Sequence, residues 1–191
     1  MRVTAFFKYS ALLLTLLVLW GCGGKNVNIA PSASEEALKK TPKWFLDPPS
    51  ESSYLYTTAT ATSRDMQAAV SKAEVRGRTE LGKQMETRLA NLTKDFQEET
   101  GVDSDSELIQ SFNTATKTVT NQILVGSSTE KKELVPEKGI YRAYVLMSLP
   151  IGPANELLME KIKDNENLYT QFRSSKAFEE LSKEIEALKN Q

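Results

Sequence analysis

Histidine is missing from this 191-residue chain, and cysteine occurs once, at position 22. Without an imidazole there is no general base of the usual kind near neutral pH, no Ser-His-Asp or Cys-His arrangement, and none of the commonest zinc ligand. A lone cysteine leaves no partner for an internal disulfide, a Cys-x-x-Cys redox pair or a multi-thiolate metal site. Most familiar hydrolase and metalloenzyme designs are thereby excluded. A Ser–Lys pair or paired carboxylates would remain available chemistry, but no local signature marks either, and solvated surface accounts for nearly all of these charges. The expectation is a protein without catalytic residues, cofactor or metal site, and so no enzyme.

A strong charge imbalance is lacking as well. Residues 1–21 carry Arg2 and Lys8 and no acid, so the remainder holds 22 basic against 25 acidic groups, a formal charge of about −3. A mildly acidic chain offers no electrostatic footprint for nucleic acid. Long hydrophobic runs are equally scarce: Ala11 to Trp20 is ten residues with Thr15 among them, half of the ~20 that a membrane-spanning helix needs.

That short run is informative through its flanks. A basic segment precedes it, and Leu19-Trp20-Gly21-Cys22 closes it, with Gly23 and Gly24 beyond. The pattern is that of a cleaved secretory signal rather than a span. Gly21 supplies the small residue a peptidase needs before the cut. The run resembles the lipobox of bacterial lipoproteins, although Trp20 is bulkier than the residue usual there. Cys22 is then the lipid attachment site, carrying diacylglycerol on its thiol and an N-acyl chain such as palmitate. Several acyl chains on one terminus hold a protein on a membrane far more firmly than one. A buried core cysteine is the plainer use of this residue, but three flanking glycines between an apolar run and a polar tail suit no core position. In bacterial lipoprotein sorting an aspartate after the cysteine retains the protein at the inner membrane; here Gly23 stands there, so the outer membrane, facing the periplasm, is the expected location.

Four segments follow from this: a signal peptide (1–21), a lipidated flexible tether (22–41), an α+β domain (42–150) and a C-terminal helical extension (151–191). The tether is polar and aromatic-poor, and some twenty residues could extend ~65 Å. In Pro42-Lys43-Trp44-Phe45-Leu46-Asp47-Pro48-Pro49, three prolines bracket two aromatics, which predicts an extended stretch unfit for a central strand. Trp44 and Phe45 are expected to pack on the domain as a latch, or else to recognise a partner.

Tyr54 to Thr62 reads as a first strand. Ser63 is the expected cap of a long helix, with Asp65 in its first turn. On that helix Met66, Ala69, Ala73, Gly77, Leu81, Met85, Leu89, Leu92 and Phe96 recur every three or four residues, one face whose first half is small and second half large. The small half suits close packing on a sheet, and the large half suits an end that projects or meets another helix. Gly101 is the expected stop, and Asp103 to Glu107 hold the capping chemistry for a shorter helix through Leu108, Ile109 and Phe112. Thr114 to Thr120 predict a drift toward strand, Ile123 to Val125 and Ser127 to Val135 a strand, Pro136 to Gly139 a turn, and Ile140 to Leu149 its antiparallel partner. That last strand is apolar on both faces and is expected in the middle of the sheet. Gly152-Pro153 is expected to open a final helix, with proline at its first position, running to near Gln191. Ser174-Ser175 marks a bend in it, and its last stripe of Phe178, Leu181, Ile185 and Leu188 suits packing back along the long helix as well as a short seam. The fold class expected is α+β: a small antiparallel-containing sheet in β-α-β-β order, packed by a long helix, with a long C-terminal helix.

Pro42-Lys43-Trp44 with Pro48-Pro49, the strand Tyr54-Leu55-Tyr56 leading into Ala68-Ala69-Val70-Ser71-Lys72-Ala73, and the late strand Tyr141 to Leu146 together resemble the twenty-kilodalton Lpp outer-membrane lipoprotein family, which includes the FlgP-type lipoproteins of sheathed or polar flagella. The resemblance covers about residues 42–150 and rests on pattern more than on a rare motif. It implies a compact α+β module anchored at the outer membrane, without known catalytic residues, in flagellar basal-body structures or surface antigens. The function expected is a non-enzymatic structural or assembly role in the cell envelope, flagellum-associated in its sharpest form. Its partners would be membrane lipid through Cys22 and either further copies of the chain or an envelope protein. The alternative is a tethered periplasmic regulator of an envelope or cell-wall enzyme.

Overall fold

The computed structural model describes residues 37–104 and 106–189. The signal-like segment, Cys22, most of the tether, Asp105 and the last two residues lie outside them. Ten-residue β1 (Tyr54–Ser63) is followed by α2 (Met66–Thr100), α3 (Glu107–Ile123), a single 3-10 turn (Leu124–Gly126), β2 (Ser128–Glu137) and β3 (Ile140–Pro150). Three helices close the chain: α4 (Ile151–Lys163), α5 (Glu166–Phe172) and α6 (Lys176–Lys189). A short turn of helix, α1 (Lys43–Leu46), precedes β1.

The expected α+β class holds, with a three-stranded antiparallel sheet in the order β1-β3-β2. Along the chain β1 is followed by the long helix and the shorter one expected after Gly101, then by β2 and β3, and the strands lie side by side in the order β1-β3-β2 rather than in chain order. β3 is central as its two apolar faces require: Ala143, Val145, Met147 and Leu149 are buried on one side, and Tyr144, Leu146 and Ser148 on the other. β2 and β3 meet in a hairpin whose two turn residues, Lys138 and Gly139, both have positive φ, at 25° and 88°. Such turns match the right-handed twist of the strands they join.

Thirty-five-residue α2 spans ~50 Å and serves two layers. Ala69, Ala73 and Gly77 are buried against β1 and β3. The backbone approaches so closely that a Cβ on Gly77 would stand 2.7 Å from Met147 Sδ, which accounts for a glycine inside a helix. Farther along, Met85, Leu89 and Phe96 are buried, and Phe96 meets Phe112 of α3 at 5.2 Å and Phe172 of α5 at 5.4 Å between ring centroids. The large half of the face thus meets other helices. Met66, expected at the head of the face, is 51% exposed.

Several boundaries differ from expectation, each for a local reason. Asp65, not Ser63, caps α2: its Oδ1 accepts the Ala68 N–H at 2.7 Å, while Ser63 Oγ accepts the N–H of Asp65 itself. Gly101 ends α2 at φ 66° as expected, its N–H reaching Gln97 O. The threonines do not break α3. Thr114, Thr118 and Thr120 donate to the carbonyl four residues back and Thr116 to that three back, so the buried hydroxyls are satisfied within the helix. Ile123 to Val125 are accordingly the helix end and 3-10 turn rather than strand. α4 begins at Ile151 with Pro150 as its cap, which puts Pro153 third, not first. The N–H that proline lacks would have no intrahelical acceptor at that position. The C-terminal region is helical but interrupted twice. Asn165 Oδ1 accepts the Leu168 N–H at 3.0 Å to start α5, and Ser175 Oγ accepts the Phe178 N–H at 3.1 Å to start α6.

Candidate interaction surface

The sheet has one face under α2 and one turned away from it. Alternation along β1 assigns Thr57, Ala59 and Ala61 to the buried helix side and Tyr54, Tyr56, Thr58, Thr60 and Thr62 to the outer side. Pairing adds Arg142, Tyr144, Leu146 and Ser148 of β3 to that outer face.

The segment Pro42–Leu46 lies at this face. Pro42 caps one helical turn, and Asp47, which precedes Pro48, leaves helical geometry at φ −133°, ψ 82°. A residue before proline is disfavoured in the helical region. The stretch expected to be extended is therefore a single turn of helix, stopped by the prolines behind it. That turn sets the Phe45 ring 4.9 Å from Tyr144 in an edge-to-face arrangement. Thr58 Oγ1 donates to Phe45 O at 3.3 Å, and Thr41 Oγ1 stands 3.3 Å from the Tyr144 hydroxyl. Trp44 meets the Phe45 edge at 6.3 Å between centroids, and both aromatics are half-buried, whereas Leu46 beside them is 60% exposed. Trp44 and Phe45 thus form a latch with aromatic surface left over, while Cys22 lies outside the described residues.

A second cluster sits where β2 bulges. The register shift between Thr129 and Lys131 inserts Glu130, and its Oε1 accepts the Ser148 hydroxyl at 2.6 Å and the Ser128 hydroxyl at 2.9 Å. These two hydroxyls, Ser148 foremost, hold the Glu130 carboxyl below its ordinary range. The Tyr54 and Tyr56 rings lie 5.8 Å apart between centroids, tilted by 33°, in the same row of β1. Burial first, and the Glu51 charge next, push the Tyr56 phenol up. At the hairpin end, Arg142 donates two bonds to Glu137, at 2.6 and 3.0 Å, which lower the Glu137 pKa and raise that of Arg142.

Both sheet edges are guarded. On β1, Arg76 and Gln84 of α2 donate to the carbonyls of Thr60 and Tyr56; β2 carries the bulge, two adjacent lysines and Pro136. Such devices discourage strand addition. The aromatic pair Trp44 and Phe45 stands out in the sequence between its prolines. The Glu130 cluster escapes sequence reasoning, because a bulge leaves no mark on the alternation; Tyr54 and Tyr56 are visible as strand but not as a surface.

Among the described residues no helix is long and apolar enough to cross a membrane, and no group of three or more metal-ligating side chains gathers. Comparison of the chain with protein-family models, curated proteins and solved structures gave no match.

Proposed function

We propose that this chain is a non-enzymatic lipoprotein of the bacterial outer membrane, anchored through Cys22 and acting in assembly of an envelope structure, in the manner of the FlgP-type lipoproteins it resembles. One observation carries the reading: Cys22 follows a short basic and apolar segment and is flanked by glycines. The absence of histidine from the whole sequence supports a role in binding rather than catalysis. The fold supports it through the latch, which fixes the chain to the sheet at Phe45 just after the tether and leaves Trp44 half-exposed beside it.

Labelled palmitate fed to producing cells tests the anchor. Label should enter the wild-type chain and be absent from Cys22→Ser, which should also leave the membrane fraction; equal label in both would end the lipoprotein reading. The assembly role is tested by light scattering of the solubilised full chain over a concentration series, with envelope crosslinking alongside. A strict monomer without a crosslinked partner would refute it.

The tether favours the second reading, a regulator that reaches an inner-membrane or cell-wall enzyme. Residues 37–40 are a turn of helix and Thr41 stands at the sheet, so the fifteen residues 22–36 remain, which fully extended could reach ~50 Å and suit that task. Halving the tether would then abolish the phenotype, and an unchanged phenotype would remove the reading's main support.

A further inference from the structure

The latch presents two sides. Pro42 is buried, and Thr41 and Phe45 both reach Tyr144 on the outer face of the sheet. The other side is turned to solvent: Lys43 is exposed, Trp44 shows part of its ring, and Leu46 is 60% exposed. Tyr54, at the head of β1 on the same outer face, is 39% exposed. An aliphatic side chain, two amphipathic rings and a lysine thus lie on one side of the sheet. The chain also arrives on this side. Thr41 already stands at the sheet, and the fifteen residues 22–36, with one turn of helix after them, connect it to Cys22. Fully extended, those fifteen span ~50 Å.

We propose that Leu46, Trp44 and Tyr54 make a second, non-covalent contact with the phospholipid bilayer that holds Cys22. The proposal rests on the lipoprotein reading above and adds to it the face that the domain turns to the lipid. Tryptophan and tyrosine are side chains of the membrane interface, apolar in the ring and polar at the tip. A lysine beside them lays its stem along apolar surface while its ammonium stays at the headgroups. The bilayer is also the surface that the anchor itself brings to this patch. Anchorage makes the second contact intramolecular, so a few exposed groups suffice where they would not hold a free protein. Asp47 follows Leu46, and Glu51 lies beside Tyr56, so carboxylates offset Lys43 and keep the contact shallow. Rings and Leu46 carry it rather than charge, and salt that screens exposed charges leaves it in place.

Trp44 reports on the contact directly, because the sequence holds one other tryptophan, Trp20. The full-length chain carrying Trp20→Phe would be purified and reconstituted into vesicles of phosphatidylethanolamine and phosphatidylglycerol, with ordinary or brominated acyl chains. Bromine quenches a ring that touches lipid. Trp44 emission in brominated vesicles should be about half that in ordinary ones or less, and equally so in ~0.5 M salt. Leu46→Glu changes a solvent-exposed side chain, so Tm should hold while the emission returns toward its value in ordinary vesicles. Quenching indifferent to Leu46→Glu overturns the patch. Equal emission in both vesicles, from a chain that floats with them, refutes the contact and leaves the anchor standing. A chain that does not float refutes the anchor, and the contact then stands if excess brominated vesicles still quench Trp44 and falls if they do not. A photoreactive side chain at position 46 in producing cells should join to lipid; joining to a protein instead gives the patch to a protein partner and overturns the proposal.

Discussion

Replacing Gly77 by alanine sets two effects of opposite sign against each other. Alanine is better than glycine in a helix interior by ~1 kcal/mol, so an open site would gain that stability. Gly77 is not open: the added methyl would lie 2.7 Å from Met147 Sδ and 3.0 Å from its Cγ. Met147 is fully buried on the central strand, so its side chain cannot swing into solvent. Overpacking of this kind costs ~1–3 kcal/mol. The steric cost prevails, and Gly77→Ala should lose ~1 kcal/mol net, about 2–4 °C in Tm for a domain of this size. Urea denaturation of Gly77→Ala, Met147→Ala and the double variant gives the coupling. Met147→Ala alone should cost ~2–5 kcal/mol, and the double variant should recover ~1 kcal/mol or more relative to the sum of the two. If Gly77→Ala is instead more stable than wild type, and additive with Met147→Ala, the reasoning about close helix-on-sheet approach is wrong.

Phe45→Ala should cost ~1–2 kcal/mol by removing the ring from Tyr144, seen as a lower Tm, while Trp44→Ala should cost less and act mainly on partner capture; the reverse ranking by calorimetry would misplace the latch. Asp65→Ala should lose ~1 kcal/mol through the cap of α2, whereas Ser63→Ala should lose clearly less, and equal losses in urea melts would contradict the assigned cap. Because its folded pKa is depressed below the ordinary glutamate value of 4.5, Glu130 stabilises the fold above that value, and this contribution is lost as pH falls through the folded pKa. Glu130→Gln should therefore flatten the stability profile below about pH 4.5 and leave its shape near pH 7 unchanged; an unaltered acid limb would refute the role of the serine hydroxyls.

How much of this architecture could be read from the residues follows the reach of each signal. The α2 face and the central position of β3 rest on periodicity over many residues, and tertiary packing only reinforces them. Ends are decided by competition between neighbours. Ser63 and Asp65 are both good caps, and only the geometry after β1 shows that Asp65 reaches the Ala68 N–H. Threonines in α3 read as strand because propensity is local, while the carbonyl bonds that accommodate them exist only once the helix forms. In the candidate surface, Trp44 and Phe45 are marked by their prolines. The Glu130 cluster depends on a bulge and on Ser148 arriving from another strand, information that no short window contains.

The shared helix α2 has a mechanical consequence. Its first half is fastened to the sheet and its second half to the phenylalanine cluster of α3 and α5, so a single rod is clamped in two sockets. A pull arriving at the latch through β3 is passed lengthwise into the helical end instead of being dissipated at a joint. A rod clamped in this way acts as a strut, carrying load between the sheet at one end of the domain and the helical cluster at the other.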